Sequence, residues 1–393
     1  MMGRTFQGYR RSNGQVGIRN YIAVIPGVYC SEVAAKKIAA AYSEDEVVFV
    51  ANSTGCGQCR SDMETTQDIF AGLIANGNVY GALIVGLGCE FLSREGYFKA
   101  IKKTGIEKPV HHLYIQETGG IKKTVEEGKK LVDAMLAEAR TMQREEIPVS
   151  ELNLGLECGG SDPTSGISSN TVLGLVTDML IDEGGTAVIS ENTEAIGAEH
   201  ILKERGRTPE IGQKIYDSIV NWEQKIFDIT GDDIRKGNPS PGNQASGITT
   251  LSEKSLGCIH KAGSRPFDGF YTYGEVIHEK GLMYLDATAN DVINVTALAA
   301  SGSQLVAFTT GRGNPIGNPV VPVVKITGNH DTYLKMEDFL DLDTSASISG
   351  EKTMEQLAEE MMDYFLRVCS GEKTKAEENG CVENLISQTC VYV

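Results

Sequence analysis

Short, continuously apolar runs recur through the N-terminal third of the chain, at Tyr21–Ile25, Val47–Ala51, Ala82–Val85 and Val110–Ile115. Between them lie stretches of helical periodicity: Glu32–Ala41, Met63–Ala75, Arg94–Lys103 and Ile121–Met142. The runs start about 25–35 residues apart, the spacing of β–α–β units with right-handed crossovers. They are apolar throughout rather than alternating, as parallel strands covered on both faces are. The pattern predicts a doubly wound, parallel-sheet α/β domain over residues 1–148. The polar stretch Gln143–Ser150, with its single Pro, marks the boundary.

Residues 149–393 repeat the alternation less regularly and predict a larger α/β domain. Strands are expected at Leu152–Leu156, Thr186–Ser190, Leu282–Leu285, Leu305–Phe308 and Val320–Ile326. Helices are expected at Thr171–Asp182, Ala195–Arg205, Ile211–Phe227, Leu251–Lys261, Asn290–Ala300 and Lys352–Cys369. In the last, Leu357, Met361, Tyr364, Phe365 and Val368 form one stripe, and Gly371 stands where a helix ends. Residues 205–240 read as an inserted helical piece.

Composition narrows the function. The 393 residues carry 36 Lys and Arg against 53 Asp and Glu, a formal charge of −17. Such a field repels phosphate backbones and anionic membrane surfaces, so neither nucleic acid nor membrane is an expected partner. A local Arg or Lys can still hold a small anion. No apolar run approaches the roughly 18 residues of a membrane span, and the polar start is unlike a secretion signal. A cytoplasmic protein is expected, in which the nine cysteines are reduced thiols rather than a disulfide framework.

In open parallel sheets, ligands bind beyond the carboxyl ends of the strands. There the chain places PGVYC with Cys30, ANSTGCGQC with Cys56 and Cys59, GLGCE with Cys89, and ECGGSD with Cys158. Four strands thus deliver a cysteine to equivalent positions. Thiolates favour iron–sulfur clusters, zinc or copper(I). The expectation is a thiolate-lined crevice of Cys30, Cys56, Cys89 and Cys158 holding iron; the plain alternative is four small buried residues at tight junctions. ENTEAIGAEH sets Glu191, Glu194 and Glu199 near His200, a group for metal binding or acid–base work, or a solvated helix start. Three Gly-rich loops suit anion or polyol recognition. They are ECGGSDPTSG with Ser161 and Asp162, NPSPGNQASGITTLSEKS with Asn243, Glu253 and Lys254, and FTTGRGNPIGN with Thr310 and Arg312. No Walker sequence is present, nor a G-x-G-x-x-G after the first strand, which disfavours nucleotides.

The segments GYRRSNGQVGIRN, TGCGQ, GLGCE, ECGGSD, ENTEAIGAEH, NPSPGN, EKSLG and TTGRG resemble, in this order, motifs of the altronate/galactarate dehydratase family, which also includes a sulfolactate sulfo-lyase large subunit. The resemblance implies a lyase that eliminates water from a 2-hydroxy sugar acid to give a 2-keto-3-deoxy acid; sulfite release is the alternative, and a non-catalytic iron–sulfur subunit a further one. It implies dependence on a single Fe2+ or Mn2+ ion, or alternatively a [4Fe-4S] cluster on the cysteines. A separate small subunit and an oligomer are expected, because fused members carry an extra N-terminal domain before the GY-R motif. Two positions depart from the family pattern: Asn52 replaces a usual His, and Cys59 follows the TGCGQ motif. On this reading Lys254 and Glu253 transfer protons, with His200 as alternative acid. Arg312 and Arg19 hold the carboxylate, and Ser161, Asp162, Asn243 and Thr310 bind hydroxyls.

Overall fold

A computed structural model describes residues 3–389. It is an α/β architecture with two parallel sheets, as expected. The first has four strands, in the order Val47–Phe49, Tyr21–Pro26, Val79–Gly86, Val110–Tyr114. Alternate residues of its central strands face opposite ways. Ile22, Val24, Leu83 and Val85 pack with the helices Glu32–Ala39 and Ile121–Ala139; Ala23, Ile25, Ala82 and Ile84 pack with Arg60–Ala75 and Arg94–Lys103. The second sheet has seven parallel strands, in the order Phe267–Thr272, Gly281–Asp286, Thr186–Ile189, Asn153–Cys158, Leu305–Thr309, Val323–Thr327, Leu342–Asp343. The region expected to be helical holds Pro209–Thr230, started by Thr208 capping and Pro209 in the first turn.

The stretch at the expected boundary takes part in a sheet. Residues 143–150 do not form a plain linker: Glu145–Pro148 pairs antiparallel with Thr5–Arg10, which also pairs with Val16–Gly17. Phe6, Val16, Ile18 and Ile147 are buried in the core of the C-terminal body, beside Leu357, Met361 and Phe365. The chain therefore starts on the second body, crosses to build the first, and returns. Alternation over three or four residues at an edge is too short a signal to read as a sheet.

A shared core joins the two bodies. Helix Arg60–Ala75 lies along Asp291–Ser301, and a Cβ on Gly72 would stand 2.2 Å from the Ala300 carbonyl oxygen, so only glycine permits this approach. Asn76 donates to the carbonyls of Ala299 (2.8 Å) and Ser303 (2.7 Å).

A candidate active site at the carboxyl edge of the seven-stranded sheet

Two central strands, Asn153–Cys158 and Thr186–Ile189, end beside each other. The first delivers Glu157 and Cys158. The second leads into Glu191, the one non-glycine residue with positive φ (77°) among those described, and a turn carrying Glu194. Strained backbone of this kind costs of order 1–3 kcal/mol and is found at functional sites. Helix Leu251–Cys258 faces them. Lys254 and Cys258 are one turn apart, and Lys261 follows in the next turn, so all three share a face.

These side chains form a buried ionic network. Lys261 pairs with Glu191 and Lys254 with Glu194, the first pair wholly excluded from solvent. Lys261 Nζ also donates to Cys258 Sγ at 2.7 Å. Cys158 Sγ, Cys258 Sγ and a Glu194 carboxylate oxygen lie within 4.8 Å of one another. The Cys158 thiol is held well below the usual range, first by its hydrogen bond from Cys258 and then by the Lys261 charge; the same hydrogen bond and burial push Cys258 up. Burial raises Glu191 and Glu194 against the opposing pull of their lysines. Burial works against the charge on both lysines, but Cys258 and Glu191 hold Lys261 protonated and Glu194 does so for Lys254.

Lys325, on the Val323–Thr327 strand next to Leu305–Thr309, lies with Nζ 3.5 Å from the Phe308 ring centroid, and Nζ has no hydrogen-bond partner among the described residues. Burial drives its pKa from 10.5 to about 7, although Glu157 and Asp291 pull the other way. Below that value the amine is charged in folded and unfolded chains alike. Between about 7 and 10.5 only the unfolded chain keeps the proton, so this group makes stability rise with pH across that window. Lys325→Met should therefore stabilise the protein most at and below neutral pH, with the gain shrinking by up to about 1.4 kcal/mol per pH unit above it. Denaturation of both proteins at several pH values checks this, and a pH-independent difference contradicts it.

Beside the network is a cavity of about 260 Å³ lined by Ser161, Asp162, Asn170, Glu253, Lys254 and Cys258, among others. Four residues expected from the motifs thus meet around one space. Lys254 is largely buried and bonded to Glu194. Glu253 is exposed; its Oε2 accepts from Thr249 N (2.8 Å) and Oγ1 (2.6 Å), and the Thr249 hydroxyl first among these bonds lowers its pKa. Arg312 is exposed at the end of strand Leu305–Thr309, with no acidic partner among the described residues, and its guanidinium adjoins Gly242 of the NPSPGN loop.

Other expected residues have different work. Arg19 is buried in the fold, donating to both Glu377 oxygens and to the carbonyls of Ile18, Val368 and Glu372, which uses its whole guanidinium. It ties the C-terminal helices to the body and cannot reach a substrate. Asp162 accepts from Thr164, Ser165 and Asn329, so both oxygens are occupied in shaping its loop. Asn243 donates to the Ser161 carbonyl at 2.7 Å, clamping two motif loops together. Thr310 Oγ1 accepts from Gly313 N at 3.0 Å and shapes the Arg312 loop. His200 is exposed, outside the cavity lining, while Glu191 and Glu194 turn inward; the expected Glu–His group does not form. Sequence reasoning passed over Cys258 and Lys261. Their spacing from Lys254, four and seven residues along one helical face, was the available signal.

The cysteines divide. Cys30, Cys56 and Cys89 are exposed on loops after three adjacent strands of the four-stranded sheet. Tyr29 N donates to Thr54 O (2.7 Å) and Leu92 N to Gly55 O (3.3 Å), stitching these loops into one rim. Gly55, at φ 107°, passes so close to Val28 that a Cβ would stand 2.7 Å from its Cα. Asn52 bridges Pro26 O and Thr54 within the same rim. Cys158 does not join them: it is buried on the other sheet, with Cys258. The three rim thiols are not drawn within 4.8 Å of one another as a ligand group among the described residues. A single ion needs closer donors, at about 2.3 Å from the metal; a multi-iron cluster accepts thiolates from separate corners.

A buried acid, thiol and lysine network beside a small polar cavity, at the carboxyl edge of a parallel sheet, defines an α/β enzyme of the acid–base type. Residues 149–392 match the D-galactarate/altronate dehydratase C-terminal domain, and residues 8–140 the second domain of D-galactarate dehydratase/altronate hydrolase. The chain belongs to the D-galactarate/altronate dehydratase family. It is 37% identical to an altronate dehydratase of Bacillus subtilis (strain 168), over 99% of this chain and 78% of the relative. It is 36% identical to one of Escherichia coli (strain K12), over 96% of this chain and 76% of the relative. A (2R)-sulfolactate sulfo-lyase subunit beta of Chromohalobacter salexigens is 31% identical over 99% of this chain and 98% of that protein.

Proposed function

We propose that this chain removes water from an altronate- or galactarate-like 2-hydroxy acid to give a 2-keto-3-deoxy acid. Its altronate and galactarate dehydratase relatives make it a carbon–oxygen hydro-lyase. The observation that carries the finer reading is the meeting of the ECGGSD and EKSLG motifs around one cavity, where Glu253 and Lys254 present an acid–base pair. Glu253, held ionised and with Oε1 unengaged among the described contacts, takes the proton from C2. Lys254, held protonated by Glu194, gives a proton to the hydroxyl leaving C3, which departs as water. The C2=C3 enol then becomes the keto acid. Ser161, which lines the cavity, is assigned to a substrate hydroxyl, and Arg312, exposed beside Gly242 of the NPSPGN loop, to the carboxylate. A metal ion held by Cys158, Cys258 and Glu194 would supply Lewis-acid stabilisation of developing negative charge at this edge.

An iron–sulfur cluster on Cys30, Cys56 and Cys89 is supported by their exposure on one rim; the closer buried donors suit a single ion instead. A second subunit is proposed because the sulfo-lyase relative is named as one subunit of an enzyme, and a further copy of this chain is expected in the assembly. Among the described residues no helix is long and apolar enough to cross a membrane. The sulfo-lyase relative also keeps sulfite release from sulfolactate as a second reading.

The test is a product assay across altronate, galactarate and sulfolactate, run anaerobically with iron. Keto acid from a sugar acid supports the proposal; sulfite alone overturns it. In the same assay Arg312→Lys, which keeps charge but loses the planar fork, should lower kcat/KM by about 10- to 150-fold, mostly through KM. An unchanged KM would remove Arg312 from the substrate.

A further inference from the structure

The structure assigns a single divalent cation of the borderline-soft class, zinc or ferrous iron, to Cys158, Cys258 and Glu194 inside the C-terminal body. This site is separate from the cysteine rim, and it stands whether or not the cavity dehydrates sugar acids. Three observations support it. The donor atoms of the three residues lie within 4.8 Å of one another, and all three residues are buried. Ligands on a tetrahedral ion about 2.0–2.3 Å away have separations of this order. Two sulfurs and one carboxylate also select zinc or iron over magnesium.

The second observation is a group of buried atoms with no partner. Among the described residues Glu194 Oε2, Glu191 Oε1 and Glu157 Oε1 have no hydrogen-bond partner, though Glu194 and Glu191 are 5% and 1% exposed and Glu157 is fully buried. An unsatisfied buried carboxylate oxygen costs several times a normal hydrogen bond, and three in one cluster point to a cation that engages them. The third is what the lysines leave open: Lys254 engages Glu194 Oε1 and Lys261 engages Glu191 Oε2, so neither lysine meets the oxygens that lack a partner.

The surrounding contacts fit such a centre. Lys261 Nζ donates to Cys258 Sγ at 2.7 Å and pairs with Glu191; Ser161 Oγ lies 3.4 Å from Cys158 Sγ. These are outer contacts that orient ligating sulfurs. Three protein ligands would leave one coordination position for a further ligand, and Cys258 lines the 260 Å³ cavity.

The test uses full-length protein, stripped with chelator and titrated with Co2+, then with Zn2+ in competition. We expect about one Co2+ per chain with thiolate-to-cobalt charge-transfer absorption, abolished by Cys258→Ser and retained in the Cys30→Ser/Cys56→Ser/Cys89→Ser variant. Lys261→Gln should weaken Zn2+ binding by about 10- to 100-fold without changing stoichiometry. If Cys258→Ser does not fold, the triple rim variant decides alone: retention of the cobalt–thiolate band supports the site, and its loss overturns it. Wild-type protein without such a band, or a band unaffected in folded Cys258→Ser, also overturns it. Turnover enters none of these readings, so failure of the dehydratase assay leaves them intact.

Discussion

Lys254→Met is expected to lower kcat/KM on the sugar-acid substrate by about 10²- to 10⁴-fold, the usual contribution of a positioned proton donor. The ammonium stands at the cavity with Glu194 behind it, which holds it protonated and aimed. Methionine fills the same volume but has no proton to give, so hydroxide would have to leave unprotonated. Lys254→Arg separates this role from a structural one. Arginine keeps the charge and can still pair with Glu194, but it does not release its proton in the working range. If Lys254 only supported the fold, Lys254→Arg would restore turnover; as an acid it restores thermal stability while kcat stays low. Steady-state kinetics and thermal melts of the two variants decide between these outcomes.

The largest effect on stability is expected from Lys261→Met. Lys261 is fully buried, paired with Glu191 and hydrogen bonded to Cys258. Removing it leaves a carboxylate and a thiol facing each other in a medium of low dielectric. Breaking a buried pair from one side costs about 3–5 kcal/mol. For a body of this size that corresponds to a fall in melting temperature of roughly 6–10 °C at about 2 °C per kcal/mol. Replacing both members, Lys261→Met with Glu191→Leu, should recover most of the loss, since the damage comes from the uncompensated charge. A double variant as unstable as the single one would show that packing, not charge, sets the cost.

The sequence was legible where one physical rule acted alone. Fully buried parallel strands are apolar at every position, so Tyr21–Pro26 and Leu305–Thr309 stood out. Arg94–Lys103 has its expected bounds because Ser93 caps it by accepting from Gly96 N. The pairing of Thr5–Arg10 with Glu145–Pro148 was hidden, because its partners are about 140 residues apart and no local pattern records such a contact. The strand Phe267–Thr272 escaped for another reason: it is an edge strand, half exposed. At the site, strand ends gave the correct loops but not the side-chain directions. Arg19 looked like a substrate cation until its five donors were seen to bind Glu377 and three carbonyls. Cys158 belonged by position with Cys30, Cys56 and Cys89, yet a second sheet carries it to Cys258. Sequence position alone does not say which sheet a strand will join.

The central claim, elimination of water through proton removal at C2, is tested most directly by running the reaction on altronate in D2O and reading the product by NMR. The account predicts a 2-keto-3-deoxy acid carrying one solvent deuteron at C3, because the enol left after C3–O cleavage is protonated there. Unreacted altronate and galactarate, with sulfite released from sulfolactate under the same conditions, would contradict it.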